Sequence, residues 1–370
     1  MPFKVMTILG TRPEIIRLSE VIKALDTHFN HVLVHTGQNY DYKLNEVFFE
    51  DLSLRKPNHF LNAVGKNLGE TMGNILSKSY EVIEQEKPDA VLILGDTNSA
   101  LSAISAKRLK VPVFHMEAGN RCFDENVPEE INRRLVDHIS DVNLPYTEHS
   151  RRYLITEGIK GEYIFVTGSP MKEVIDKQLE NVQKSTILNT LELKEKKYIL
   201  VSTHREENVD HEQNFYKIID TLNKLVEAYH LPIIVSTHPR TKKWLDARNY
   251  HVSPLIRFIE PFSFTDYINL QQHAYVVLSD SGTLSEESAL LNFPAVLFRT
   301  STERPEVLDQ GLMVVSGLDA NQVIEAIRLQ VVSPNHHRIP VDYSDHVSMK
   351  VVKIIQSYIP IINKNIWKKL

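Results

Sequence analysis

Short apolar runs recur along this chain at spacings that leave room for a helix between them, and that alternation closes off most folds. Residues 3–9, 32–35, 91–94, 113–114 and 163–166 each read as a buried strand, and the segments between them carry helical patterns. Repeated strand–turn–helix units demand a parallel sheet, because the helix returns the chain to the starting end, and helices then cover both faces. The first half is therefore expected to be one α/β domain. A polar stretch from 177 to 197 precedes a second series of runs, at 198–202, 233–236, 275–278, 295–298 and 313–315, which predicts a second α/β domain. The expected divisions are 1–175, 176–350, and 351–370 for a terminal helix packing back on the body. Val351, Val352, Ile354, Ile355 and Tyr358 have the spacing of an amphipathic helix. Two doubly wound parallel-sheet domains leave a cleft between the carboxyl ends of their strands, where open sheets bind ligands.

Composition narrows the function classes. A formal charge of −5 lacks the electrostatic footprint of a general nucleic-acid binder, so an anionic ligand is expected to be small and locally held. The single cysteine, Cys122, rules out an internal disulfide framework and agrees with a reducing compartment, the cytoplasm. The opening MPFKVMTILG reads as a first strand rather than a signal peptide, and no run approaches the ~20 apolar residues of a membrane span.

The polar motifs fall at the predicted strand ends. GTRPE (residues 10–14) follows the first strand, TGQNYD (36–41) the second and GDTNS (95–99) a third; THREEN (203–208) and SDSGTLSEES (279–288) do the same in the second half. In GTRPE, Gly10 suits a tight turn and Pro13 an early helical position, so free amides and Arg12 can face an anion together. It is neither a P-loop nor a GxGxxG sequence. In the second half Ser281, Gly282 and the following hydroxyls open a helix in the same way. Glu286 or Glu287 there either complements the helix dipole or, as an acid beside a phosphate site, binds ribose hydroxyls.

The densest chemistry lies in residues 115–134, HMEAGNRCFDENVPEEINRR. Asp96, Glu117 and Glu129, with His115 and His204, form the candidate acid–base set. A metal site is the rival reading, although no CxxC or HExxH partner accompanies the HxE of His115 and Glu117. His115 alone is as compatible with a hydrogen-bonded interior histidine, and Cys122 with packing. Of Arg133 and Arg134, one can neutralise the neighbouring acids and the other reach an anion. Arg299 and Arg304 follow a strand, and His238-Pro239-Arg240 ends another.

In order, GTRPE, TGQ, GDT, HMEAGNR, PEEINR, THREEN, SDSG with Glu286-Glu287, and TERPE resemble the UDP-N-acetylglucosamine 2-epimerase family, from about Gly10 to Glu306. The resemblance implies two Rossmann-like domains facing a central cleft, the GT-B-like arrangement of one large class of glycosyltransferases. It implies inversion of the carbon bearing the acetamido group of a UDP-sugar, without nicotinamide, other cofactor or essential metal, and a homodimer. Residue by residue it implies that Arg12, Ser281, Gly282 and Glu287 contact UDP with Arg304 nearby, and that Asp96, Glu117, Glu129 and His204 are catalytic.

The chain departs from the common bacterial form at several of these motifs. Asn39-Tyr40-Asp41 stands where His-Arg is usual and Arg17 where Lys is usual; AGNRCFD replaces the AGLR type, GSPMKEV (168–174) the GNT type, and Thr283 a second Gly. These variants resemble the branch that converts UDP-2-acetamido-2,6-dideoxy-L-talose to UDP-N-acetyl-L-fucosamine for capsule or O-antigen polymers. A UDP-N-acetylglucosamine/UDP-N-acetylmannosamine 2-epimerase is the alternative, and a glycosyltransferase or a non-catalytic UDP-sugar sensor the readings from other classes.

Overall fold

The computed structural model describes residues 2–37, 48–203, 212–237, 241–242, 245, 250–332, 339–343 and 346–369. It divides into two compact units, residues 1–177 with 341–370, and residues 178–340.

The first unit holds a sheet of β1 (Lys4–Leu9), β2 (Asn30–His35), β3 (His59–Phe60), β4 (Ala90–Leu94), β5 (Val113–Met116) and β6 (Val142–Leu144), in the order β3-β2-β1-β4-β5-β6. Every pairing is parallel, with Met6 opposite both Val32 and Val91, and Val91 opposite Val113. These side chains, with Ile8, Val34 and Ile93, meet Ile83, Ala103, Ala106 and Val136 from covering helices. Burial of such an aliphatic side chain is worth roughly 1.5–3 kcal/mol. The second face is closed too, which is why β4 reads AVLIL without polar alternation.

The second unit repeats the plan. β7 (Ile199–Ser202), β8 (Ile233–Ser236), β9 (Ile256–Ile259), β10 (Val276–Ser279), β11 (Ala295–Leu297) and β12 (Val314–Val315) run β12-β11-β10-β7-β8-β9, again all parallel. In both sheets the first strand of the unit lies beside its fourth, so the order reverses between β1 and β4 and between β7 and β10. At such a switch point neighbouring crossovers depart to opposite faces and leave a crevice at the strand ends. GTRPE and GDTNS flank one; Thr203 and the SDSG turn follow the two strands of the other.

The Val347–Asn365 helix returns to the first unit and packs on the Arg12–His28 helix. Glu173 caps its start, accepting from Ser348 N at 2.9 Å and Ser348 Oγ at 2.6 Å. The tail beyond it places Trp367 under the Lys107 ammonium, 4.9 Å from the ring centre. Among the described residues no helix is long and apolar enough to cross a membrane.

Three strands and one apolar run depart from the sequence expectation. Residues 163–166 form no strand: a 3₁₀ turn, Gly161–Tyr163, leads into one isolated bridge between Ile164 and Asn143. The strand at that place is β6, only three residues long and holding the polar Asn143, whose side chain donates to Asp137 O at 3.0 Å. β3 is a two-residue strand, and β9 carries Arg257, which donates to Leu191 O at 2.8 Å. All three are too short or too polar to show a strand period.

Gly119, at φ +78°, shows how tightly the loop after β5 is packed: a β-carbon there would lie 2.5 Å from Ser150 O. Gly158, at φ +90°, has nothing within 4 Å of the same position. Gly158→Ala is expected to cost roughly 1–2 kcal/mol from backbone strain alone, and Gly119→Ala roughly 1–3 kcal/mol more from the clash. Urea unfolding of both variants checks the ranking, and equal costs would contradict the close packing.

Candidate active site

Because all strands of the first sheet run one way, the loops after β1, β2, β4 and β5 share one edge. At β1, Thr11 is the N-cap of the Arg12–His28 helix, with Pro13 in its first turn. The Arg12 guanidinium lies 4.5 Å over the Phe48 ring. Glu14 turns back inside: its Oε2 accepts from Gly10 N at 3.0 Å and Thr11 Oγ1 at 2.7 Å, and the Thr97 side chain also hydrogen-bonds to the carboxyl. Glu14 therefore joins the β1 and β4 loops. Burial pushes its carboxyl up to about 7, against those hydrogen bonds.

At β2, His35 is fully buried and stacked on Phe60, ring centres 4.8 Å apart; its Nδ1 accepts from Gly37 N at 3.0 Å. Burial lowers it to about 4. Residues 38–41 of the same motif lie outside the described residues.

At β4, Asp96 is held through Oδ2 by Arg133 Nε at 2.9 Å and Nη2 at 2.6 Å, and its carbonyl takes Asn132 Nδ2 at 2.9 Å. Arg133 also binds Glu130 Oε2 at 2.6 Å. Arg133 is thus the arginine that neutralises the neighbouring acids, whereas Arg134 is 41% exposed and reaches Glu130 only at 3.3 Å. The adjacent glutamates separate cleanly: Glu130 is fully buried and takes the Cys122 amide at 3.1 Å, while Glu129 is half-buried in the first turn of the Pro128–Ile139 helix. Burial would raise Glu130, but the Cys122 amide and Arg133 outweigh it and hold its carboxyl below the usual range.

At β5, Glu117 occupies the left-handed region at φ 64°, a strained place for a non-glycine residue. Its Oε2 is paired with the Arg17 guanidinium, Oε1 accepts from Asn120 Nδ2 at 3.2 Å, and a β-carbon on Gly95 would come within 3.3 Å of Oε2. Glu117 and Arg17 are both buried. Arg17, noticed in the sequence only as a departure from Lys, is the cation of this carboxylate. His115, by contrast, is enclosed, with Nε2 donating to Gly95 O at 2.8 Å. Among the described residues no three His, Cys, Asp or Glu side chains converge to hold a metal ion.

In the second unit, the Ser279–Ser281 turn opens the Thr283–Leu291 helix. Ser281 Oγ lies 2.9 Å from Thr283 Oγ1, and Ser281 N donates to Ser279 Oγ at 3.1 Å. TERPE folds against this turn. A β-carbon on Gly282 would lie 2.5 Å from Glu303 Oε1, Glu303 Oε2 takes Arg299 Nη1 at 2.8 Å, and Arg304 Nη2 lies 3.6 Å from Glu286 Oε2, both side chains buried. Glu287 Oε2 accepts from Gln271 Nε2 at 2.6 Å. Ser281, Gly282 and Arg304 are therefore gathered within one unit, as are Asp96 and Glu117 in the other. His204, His238 and Arg240 lie outside the described residues.

The family profile described as UDP-N-acetylglucosamine 2-epimerase matches residues 23–356. The chain belongs to the UDP-N-acetylglucosamine 2-epimerase family. It is an isomerase, with the two-domain α/β fold of its structural neighbours. A UDP-N-acetylglucosamine 2-epimerase structure from Rickettsia bellii is 48% identical, covers all of both chains and superposes with a TM-score of 0.93. That of Methanocaldococcus jannaschii, in complex with UDP-GlcNAc and UDP, is 35% identical over 96% of this chain and 99% of the other, TM-score 0.90. A UDP-2,3-diacetamido-2,3-dideoxy-D-glucuronate 2-epimerase from Pseudomonas aeruginosa is 34% identical over 88% of this chain and 91% of its own length.

Two buried groups give this epimerase opposing pH responses. Glu14 is raised from 4.5 to about 7, so the native state keeps a proton that the unfolded chain has lost, and stability falls as pH rises through that window. His35 is lowered from 6.5 to about 4, so the unfolded chain binds the proton first, and stability rises with pH through that window. Glu14→Gln removes only the falling limb. Its stability at about pH 8 relative to about pH 5 is expected to exceed the wild-type difference by roughly 2–3 kcal/mol, measured by urea unfolding. An unchanged difference would place Glu14 near its ordinary value.

Proposed function

We propose that this chain epimerises C2 of a UDP-sugar by eliminating and re-adding UDP, converting UDP-2-acetamido-2,6-dideoxy-L-talose to UDP-N-acetyl-L-fucosamine. The C2 hydrogen of such a sugar has no neighbouring carbonyl, so a simple carbanion would lack a resonance sink. Elimination supplies one. A carboxylate takes the C2 proton, the C–H electron pair becomes the C1=C2 double bond, and the C1–O bond breaks with its electrons leaving on UDP. Protonation of C2 from the other face, with return of the UDP oxygen to C1, completes inversion. Two acid–base groups are needed, one for each face.

The observation that carries this reading is the placement of Asp96 and Glu117 just past the ends of the adjacent parallel strands β4 and β5, each beside its own buried guanidinium. A sugar sensor would need the phosphate contacts but not these acids, and a glycosyltransferase would need an acceptor. Asp96, Glu117, Glu129 and His204 are assigned to proton transfer. Arg12, Ser281, Gly282 and Arg304 are assigned to the diphosphate, whose charge grows as C1–O breaks, and Glu287 to the ribose hydroxyls. Losing one diphosphate donor costs about 3 kcal/mol, on the order of a hundredfold in rate.

The L-sugar assignment draws on Arg17, the AGNRCFD segment and the 168–174 segment, which depart from the common form. UDP-N-acetylglucosamine to UDP-N-acetylmannosamine is the second reading, favoured by the name of the Rickettsia bellii relative. The assembly assigned is a cytoplasmic homodimer, serving capsule or O-antigen synthesis.

Incubating the protein with each UDP-sugar in heavy water, with no acceptor, tests the reading. C2 inversion with deuterium at C2 is expected, faster on the 6-deoxy-L-talose derivative; preference for UDP-N-acetylglucosamine would move the assignment to the second reading. Glu117→Gln and Asp96→Asn are each expected to lower kcat by at least about a hundredfold while UDP affinity stays within about threefold. Near-normal turnover in both would remove them from the mechanism.

A further inference from the structure

Asp137 has no side-chain exposure, yet the elimination chemistry assigns it nothing. Its Oδ1 and Oδ2 take the Gly119 amide at 3.2 and 3.1 Å, and Oδ2 lies 2.8 Å from Arg121 Nη1. Oδ1 also lies 2.9 Å from Nδ1 of His115, whose side chain is equally enclosed. The other nitrogen of that ring contacts Gly95 O at 2.8 Å, and a carbonyl oxygen only accepts, so Nε2 carries a proton. The Asp137 carboxylate thus takes directly the amide of the residue two beyond Glu117. It also packs against the His115 ring, without hydrogen-bond geometry at Nδ1, and the other edge of that ring holds the residue immediately before Asp96.

The same helix grips both loops by other routes. Arg133, one turn before Asp137, holds the Asp96 carboxylate, and Asn132 holds the Asp96 carbonyl. Arg121 donates to Asn120 O at 2.7 Å and closes on Glu157 at 2.8 and 2.5 Å, so the guanidinium that meets the buried Asp137 carboxylate is itself held on its other sides. The loops require restraint: Gly95, Glu117 and Gly119 all have positive φ, at 70, 64 and 78°. Backbone of this kind persists where its surroundings over-determine it.

We propose that Asp137 and His115 are positioning residues: a buried pair that ties the Asp96 and Glu117 loops to the Pro128–Ile139 helix and fixes the separation of the two acid–base groups. The inference rests on the reading of Asp96 and Glu117 as those groups. Both act on one carbon, and a misplacement of about 1 Å at a reacting group costs on the order of a hundredfold. His115 and Asp137 touch no reacting atom; they act through Gly95 and Gly119.

The test compares His115→Phe, His115→Gln and Asp137→Asn, full-length, by steady-state kinetics and amide hydrogen exchange. His115→Phe loses both contacts of the ring, His115→Gln retains an amide donor for Gly95 O, and Asp137→Asn loses acceptor capacity at Gly119 and Arg121. His115→Phe and Asp137→Asn are expected to lower kcat at least about tenfold with KM within about threefold, and His115→Gln to recover part of the loss. Peptides spanning residues 95–99 and 117–121 are expected to exchange faster in both, while those of β7 and β10 keep wild-type rates. A kcat within about twofold of wild type, or unchanged exchange in the two loops, overturns the proposal. If Asp137→Asn does not fold, His115→Gln against wild type decides it by the same two measurements. If wild type inverts no UDP-sugar at C2, the proposed function fails separately, and loop exchange alone decides whether the pair positions them.

Discussion

A parallel strand can follow another only after the chain has crossed back over the sheet, and in each unit this puts every strand's carboxyl end along one edge. Residues far apart in sequence become neighbours as a result. Gly95 and Met116 continue the β4–β5 ladder, with Gly95 N donating to Met116 O at 3.0 Å, so Asp96 and Glu117 emerge side by side from adjacent strands. The reversed order at β1/β4 and β7/β10 then opens a crevice at each place where a polar motif leaves the sheet.

That edge is crowded with ionised groups in poor contact with water, and the fold answers with paired charges. Arg17 meets Glu117, Arg133 meets Asp96 and Glu130, Arg121 meets Asp137 and Glu157, and Arg299 meets Glu303. Where both members are buried, as in Arg17–Glu117, Arg133–Glu130, Arg121–Asp137 and Arg299–Glu303, removing one strands the other, at a cost of about 3–5 kcal/mol. Glu14 is handled differently, by amide and hydroxyl donors rather than by an ion pair, and its carboxyl rises toward neutrality. The arginines fix where the carboxylates point, and a carboxylate fixed in this way needs little reorganisation when it acts.

Much of this was legible beforehand, and the limits have physical causes. Strands buried on both faces, such as β4, announce themselves as continuous apolar runs; β6 does not, because three residues with a central Asn cannot show a period. Glu129 and Glu130 are indistinguishable as neighbouring letters. Only the pitch of their helix turns Glu130 inward to Cys122 and Arg133 and leaves Glu129 half-buried. Asp137 left no mark because its partners, His115, Gly119 and Arg121, come from another strand and loop. Arg17 was visible as an unusual residue, yet its task lies a hundred residues away at Glu117.

The amino-acid sequence by itself determined the parallel α/β class, the division into two such units and the motifs that end the strands, because apolar periodicity and turn chemistry act over a few residues. It also carried the family resemblance through the order of those motifs. Tertiary structure alone decided which cation meets which acid, which of two adjacent glutamates is buried, and that TERPE folds onto the SDSG turn through Glu303 and Arg304. Those outcomes depend on distances between segments brought together by strand pairing and helix packing, and no local pattern in the chain encodes them.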